Sequence, residues 1–341
     1  MDLDLAALQQ AWPLPEPWRL EPLTSGTNNE VLLVETPAGR YVLRVYGNHA
    51  DLERLRFEHA VLMHLDGARL PFAVPVPVRT AAGELYARVT TRNGERLATL
   101  TAYIPGEHPR MGDVDQARAG GEALGMLDVA LANLTSLPAS AGVTWRSRGD
   151  LAHSHPLVPD LPSAFEGLPV AEDARKRLVD GYERVMARMP MLHEVLPRQI
   201  VHEDGDMSNM LLAGSRVTGV LDFEFCGRDV RAIDLTVALI WWVLAYSDAG
   251  DEWPIMRALT TGYARHVILT ADEIAALPVL IHYRAYTSLV HRLGRYRQGL
   301  SPLKSVLERA NAALERADWL HANGQQLVET VRRAFQGKPG A

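Results

Sequence analysis

A single cysteine, Cys226, stands among 341 residues, so no internal disulfide can form and a cytoplasmic location is expected. Long apolar runs are missing as well. VALIWWVLAY at 237–246 is only about half the roughly 20 residues that a membrane span requires, and no membrane partner is expected. The amino-terminal stretch MDLDLAALQQAWPLPEP has neither the basic start nor the apolar run of a signal peptide. Basic charge is in deficit: 35 Lys and Arg against 41 Asp and Glu leave a net charge of −6, which argues against nucleic acid as a partner. Lysine is scarcer still. Only Lys176, Lys304 and Lys338 occur, so any fixed positive charge in the first half of the chain must come from arginine. Hydrophobic residues at 47% and charged residues at 22% are ordinary for a globular protein. The length suits two domains or one large two-lobed body, as a monomer or a homodimer.

Residues 1–20 predict a short amphipathic helix and a proline-rich lead-in. From 21 to 104 strand signals dominate. NEVLLVET (29–36) and RYVLRVYG (40–47) are apolar-rich runs joined by Pro37-Ala38-Gly39, which predicts a hairpin. DLERLRFEHAVLMHL (51–65) carries Leu52, Leu55, Val61, Leu62 and Leu65 at a spacing that suits an amphipathic helix. ELYARVTT and RLATLTAYI flank Asn93-Gly94, a second hairpin signal. Pro105-Gly106 breaks this pattern. Beyond it GGEALGMLDVALANL, VAEDARKRLVDGYERVMARM, DLTVALIWWVLAYS, PVLIHYRAYTSLVHRLGRYRQ and VLERANAALERADWLHANGQQLVETVRRAF all carry helical spacing. No internal repeat is visible. The expected fold is α+β: a small antiparallel β-rich lobe with one helix over residues 1–104, and a larger, mainly helical lobe over 105–341.

The clear strands of the second lobe lie in QIVHEDGDMSNMLLAGSRVTGVLDFEFCGRD, residues 199–229. Carboxylates crowded this closely repel one another unless a cation sits between them. His202, Asp204 and Asn209 form a His-x-Asp-x4-Asn pattern, and VTGVLDF then delivers Asp222 at the end of a second strand. Paired short strands would bring Asn209 and Asp222 together, an amide oxygen and a carboxylate of the kind Mg²⁺ prefers. Because Mg²⁺ completes its shell with water and phosphate oxygens, so small a ligand set implies a nucleotide. Asp204 would then be free to orient and deprotonate an attacking hydroxyl. Two other readings remain open on the residues alone: a solvated acidic loop, and a metal hydrolase using His202, Asp204 and Asp206.

The ordered set His202, Asp204, Asn209 and Asp222 resembles the kinase-like small-molecule phosphotransferases, the group of aminoglycoside phosphotransferases, choline kinases and type II homoserine kinases. Relatives usually have glycine where this chain has Glu203. The resemblance implies a protein-kinase-like two-lobed fold, ATP and Mg²⁺ as cofactors, and Asp234 as a brace for the catalytic loop. It further implies a phosphate-covering turn within LTSGTNNEV (23–31), at Ser25, Gly26 and Thr27. Arg44 stands where many relatives have lysine, with Glu58 on the following helix as its partner, and Tyr103 lies in the TAYIPG hinge facing adenine. About ten residues separate Asp222 from the next helix, too few for a peptide-holding segment, so a small hydroxyl-bearing molecule is the expected substrate. Trp241 and Trp242 suit a cationic amino alcohol, whereas Arg284, His291, Arg292 and Arg295 could clamp a carboxylate such as that of homoserine. The alternatives are a non-catalytic nucleotide-binding pseudokinase, motivated by Arg44 and Glu203, and an antibiotic phosphotransferase of the aminoglycoside type.

Overall fold

Alternating burial along NEVLLVET and GRYVLRVY puts Leu32, Val34, Leu43 and Val45 on one sheet face and Arg44 on the other. The computed structural model describes residues 3–23, 29–47, 52–92, 94–134, 155–245 and 252–336. Helix α1 (Leu5–Ala11) is capped by Asp4 and precedes β1 (Arg19–Pro22). Strands β2 (Asn29–Thr36) and β3 (Gly39–Tyr46) form the first hairpin, and α2 (Leu52–Gly67) follows. Strands β4 (Ala87–Thr91) and β5 (Gly94–Ala102) form the second hairpin, closing an antiparallel sheet of order β1-β2-β3-β5-β4. Leu8 and Trp12 of the α1 region cover one face of this sheet together with Leu32, Val34, Leu43, Val45 and Leu100. The opposite face receives α2, whose Leu55 packs with Tyr46 and Leu97.

The chain leaves the sheet through residues 103–107, which are pinned to the second lobe. Thr218 Oγ1 donates to Pro105 O (2.7 Å), and Glu107 and Leu212 exchange backbone hydrogen bonds of 2.9 and 2.8 Å. Gly106, at φ +156°, permits this approach: a Cβ there would lie 2.5 Å from Thr218 Oγ1.

The second lobe contains α3 (Val114–Ala132), α4 (Leu161–Ala164), α5 (Glu172–Val195), β6 (Arg198–Val201), a 3₁₀ turn at Met207–Asn209, β7 (Met210–Ala213), β8 (Arg216–Val220), β9 (Gly227–Val230) and α6 (Ala232–Ala238). A π-helical turn at Leu239–Val243 extends α6, and α7 (Glu252–Ala264), α8 (Ala271–Arg297) and α9 (Leu303–Gln336) complete the lobe. The fold is thus the expected two-lobed α+β arrangement of protein-kinase type. Helix α5 runs on through Pro190, although proline removes a donor there, because Met189 and Leu192 are buried on either side of it. Helix α8 starts before Pro278, at a capping box between Thr270 and Glu273. Helix α7 was absent from the sequence expectation. Among the described residues no helix is long and apolar enough to cross a membrane.

Candidate active site

Strand β6 carries the chain into the interior and releases it at His202, which is fully buried. The His202 ring stands edge-on to Phe223, with centroids 4.6 Å apart. Its Nε2 meets Leu221 O at 3.0 Å, and its Nδ1 accepts the Asp204 N–H at 3.2 Å. Both contacts together select the tautomer with the proton on Nε2. Histidine at this position therefore joins the Asp204 loop to the strand that ends in Asp222, with both ring nitrogens engaged in holding the loop.

Asp234, on α6 and wholly buried, accepts the backbone N–H groups of His202 (2.8 Å) and Glu203 (2.6 Å). These two bonds set the peptide that precedes Asp204. Glu203 sits at φ +62°, the left-handed region where glycine costs least, which accounts for glycine as the usual residue of the motif. A glutamate in that conformation carries a strain of about 1–3 kcal/mol, held in place by the two bonds to Asp234. Behind Asp234 lies Asp128 of α3. Burial first, and then the neighbouring Asp234, push the Asp128 carboxyl well above the usual range, and Tyr263 donates to its Oδ2 at 2.5 Å.

Asp204 comes out of this loop into the cleft between the lobes. Asn209 Nδ2 donates to its Oδ2 (2.8 Å) and to its backbone oxygen (3.0 Å), and Arg284 Nη2 lies 3.7 Å from Oδ1. Burial pushes the Asp204 carboxyl up to about 6, against the opposing pull of Arg284. A base at that level is ionised at neutral pH and can still take a proton. Asp206, by contrast, caps the 3₁₀ turn through the Ser208 N–H at 2.7 Å, so it serves the turn and not a metal.

Pairing of β7 with β8 continues beyond the strands, where Leu221 N donates to Asn209 O at 2.8 Å. The next residue, Asp222, is therefore carried to the Asn209 side of the cleft, at φ +61°. The Asn209 amide nitrogen is committed to Asp204, which leaves its oxygen to face a cation. An amide oxygen and a carboxylate fit a small divalent cation that keeps phosphate and water as its other ligands. No group of three or more His, Cys, Asp or Glu suited to a metal occurs among the described residues.

Arg44 reaches across from β3 to the same carboxylate, with Nη1 3.1 Å from Asp222 Oδ1 and 3.8 Å from Glu58 Oε1 of α2. Burial disfavours its charge, but Asp222 leads a set of neighbours that raise the guanidinium above its usual value. Burial pushes Glu58 up to about 7, with Arg44 opposing. Glu224 fastens the first lobe to this region: Asn29 Nδ2 donates to its side chain at 2.7 Å, and Arg54 donates twice to its carbonyl. Ser25, Gly26 and Thr27 lie outside the described residues. Tyr103 lies at the hinge, with its N–H already donated to Arg40 O (3.0 Å) and its ring under the Arg40 guanidinium at 4.1 Å.

If Arg44 exchanges Asp222 for the phosphates of a bound nucleotide, Arg44→Ala removes a charge-assisted contact worth about 1.5–3 kcal/mol. The KM for ATP is expected to rise about ten- to a hundredfold, with Arg44→Lys recovering only part of the loss because lysine lacks the planar fork. Steady-state kinetics at saturating acceptor measure this, and an unchanged KM in Arg44→Ala removes Arg44 from the nucleotide site.

On the other side of Asp204 the expected residues separate. Trp242 is buried and donates Nε1–H to Gly205 O at 3.2 Å, so it supports the loop from beneath. Trp241 faces a small cleft and lies 4.8 Å under the Arg309 guanidinium. Of the four basic residues expected on α8, Arg284 reaches Asp204. Arg292 and Arg295 turn to Ser301, and His291 stands edge-on to Phe225. Arg309 and Arg316 of α9 join Arg284 instead. Their spacing of seven, which puts them on one helix face, was the signal for them in the sequence.

Residues 19–266 match the family described as the phosphotransferase enzyme family. A homoserine kinase of Phenylobacterium zucineum is 30% identical over 297 residues, covering 86% of this chain and 84% of that protein. A homoserine kinase of Nitrobacter winogradskyi is 28% identical, covering 85% and 83%. Among solved structures, a microcompartment-associated aminopropanol kinase superposes with a TM-score of 0.74 at 18% identity, covering 94% of this chain and 98% of that one. Choline kinase from Cryptosporidium parvum gives a TM-score of 0.60 at 12% identity, covering 93% of each chain. At such identities the structural likenesses speak to the fold.

Proposed function

Because the chain belongs to the phosphotransferase enzyme family, we propose that it transfers the γ-phosphoryl group of ATP to the hydroxyl of a small metabolite, either homoserine-like or an amino alcohol. One observation carries this reading: Asp204 and Asp222 are both held at Asn209, the first by its side-chain amide and the second by the backbone bond one residue earlier. A carboxylate poised to accept a proton thus stands beside a pair of oxygens suited to a metal–nucleotide. Arg44 and Glu58 approach from the opposite lobe.

In this reading the acceptor hydroxyl binds at Asp204, which aligns it toward the γ-phosphorus and takes its proton as the new P–O bond forms and the bond to the ADP oxygen breaks. Arg44 moves its charge from Asp222 to the α- and β-phosphate oxygens. Asn209 and Asp222 would hold Mg²⁺, which supplies neutralisation of charge on the transferring phosphate. Asp234 keeps the loop in register through the two N–H groups it binds. The short path from Asp222 through β9 to α6 leaves no room for a peptide-docking segment, which favours a small acceptor.

ADP release, measured across a panel of hydroxyl acceptors with and without Mg²⁺, tests the proposal. Turnover that requires both the metal and an acceptor is the expected result. Nucleotide binding with no turnover on any acceptor would instead support a pseudokinase.

A further inference from the structure

We propose that the cleft between α5, α8 and α9 is a second binding site, for a small organic acid that joins a carboxylate to a flat apolar body. The cleft measures about 800 Å³, within the roughly 300–1,000 Å³ of small-molecule pockets. It lies across α8 from the catalytic loop. His282 and Tyr286, one turn apart, line it. Arg284, between them, reaches Asp204 instead, because residues two apart on a helix face different sides. Asp204, Asn209, Asp222, Arg44 and Glu58 take no part in the lining. Binding here does not depend on phosphotransfer.

The base of the cleft is apolar: Val185 of α5 is buried, and Val279 of α8 and Leu314 and Leu320 of α9 are half-buried. One wall is aromatic. The His282 and Tyr286 rings lie 5.1 Å apart at 31°, a surface on which a flat ring can stack. Gly181 of α5 leaves room for this wall, since a Cβ there would collide with Tyr286 Oη. The rim is cationic, with Arg177, Arg184 and Arg188 of α5 set against Asp180 and Asp318. Arg177 is already paired with Asp318, whereas among the described residues neither Arg184 nor Arg188 forms an ion pair with an acid. An incoming carboxylate therefore finds two exposed guanidiniums, each able to give it two parallel hydrogen bonds. Within the cleft, His282 Nε2 is buried with no hydrogen-bond partner, a desolvation that a ligand oxygen would offset. Burial, followed by Arg184 and Arg316, lowers the His282 imidazole to about 4. The ring is thus neutral at neutral pH, and with its proton on Nε2 it donates to a carboxylate. A cation would meet the arginines, and a wholly apolar molecule would leave Nε2 unpaired.

Isothermal titration calorimetry with indole-3-acetate, and with indole-3-acetamide as its uncharged isostere, tests the proposal. The acid is expected to bind the parent protein at least tenfold more tightly than the amide. Arg184→Gln combined with Arg188→Gln, which alters only exposed side chains, is expected to weaken acid binding at least tenfold. His282→Phe keeps a ring but removes Nε2, and is expected to weaken it at least fivefold. Asp204→Asn should leave the affinity within twofold, because Asp204 lies outside the cleft. No binding of the acid, equal binding of acid and amide, or an unchanged affinity in either cleft variant overturns the proposal. So does an affinity that falls in Asp204→Asn and survives in the cleft variants, since the acid would then sit at the catalytic loop.

Discussion

Asp204→Asn is expected to lower kcat by about 10²- to 10⁴-fold, the range for loss of a positioned general base, while the affinity for MgATP changes little. The amide keeps the size of the side chain and can still accept from Asn209, so the loop geometry survives and the loss reports proton transfer alone. The pH dependence provides a second readout. Burial raises the Asp204 carboxyl to about 6, and the base works only when ionised. The kcat/KM of the parent should therefore fall as pH drops through about 6, and the residual activity of Asp204→Asn should lack that acidic limb. Turnover of the variant within a few-fold of the parent, or an unchanged acidic limb, would remove Asp204 from the role of base.

Asp234→Ala is expected to be the most damaging substitution away from the substrates themselves. The carboxylate is wholly buried and accepts two backbone N–H groups at 2.8 and 2.6 Å. Each hydrogen bond to a charged group is worth about 1.5–3 kcal/mol, and the orphaned buried donors add their own cost. A destabilisation of about 3 kcal/mol or more is expected from chemical denaturation. The Glu203 peptide, held at φ +62°, would also lose what constrains it, so kcat should drop by more than the fraction unfolded explains. Full stability or full kcat in folded Asp234→Ala would show that the loop is held by other contacts. Asp234→Asn separates the two roles, since one amide oxygen can still accept one of the N–H groups.

Much of the first lobe was legible because its signals are local. Pro37-Ala38-Gly39 and Asn93-Gly94 are turn signals whichever lobe they belong to, Asn93 itself lying outside the described residues, and the flanking runs alternate as a half-buried sheet must. Arg44 could be placed on β3 for the same reason. Its face follows from strict alternation with Leu43 and Val45. The proximity of His202, Asp204, Asn209 and Asp222 was legible because they fall within 21 consecutive positions, and short strands leave the chain few ways to arrange them.

Other features had no local signal. Strand β9, with the sequence GRDV, is too short and polar to announce itself, and it exists because β6 offers it an unpaired edge. The partner of β8 is MLLA, while QIV pairs with β9 instead. Asp128 lies 106 positions before Asp234 in the chain, on a helix whose sequence shows only small and apolar spacing. The division of the tryptophans, with Trp242 under the loop and Trp241 in the cleft, follows from their adjacent places on one helical turn, which face different sides, and which side meets the loop is set by packing.

The sequence by itself determined the order of the elements, the two hairpins of the first lobe, and the identity and order of the residues that could carry phosphoryl transfer. These depend on turn chemistry, on periodicity, and on side chains a few residues apart, all of which act over short stretches of chain. Only the tertiary structure decided that Asp234 holds the left-handed Glu203, that Arg44 rests on Asp222, and that arginines of α9 join Arg284 of α8 beside Trp241. Each of these is a contact between segments far apart in sequence. Such contacts form only where packing has already removed water, and it is that removal which turns an exposed charge into one requiring a partner.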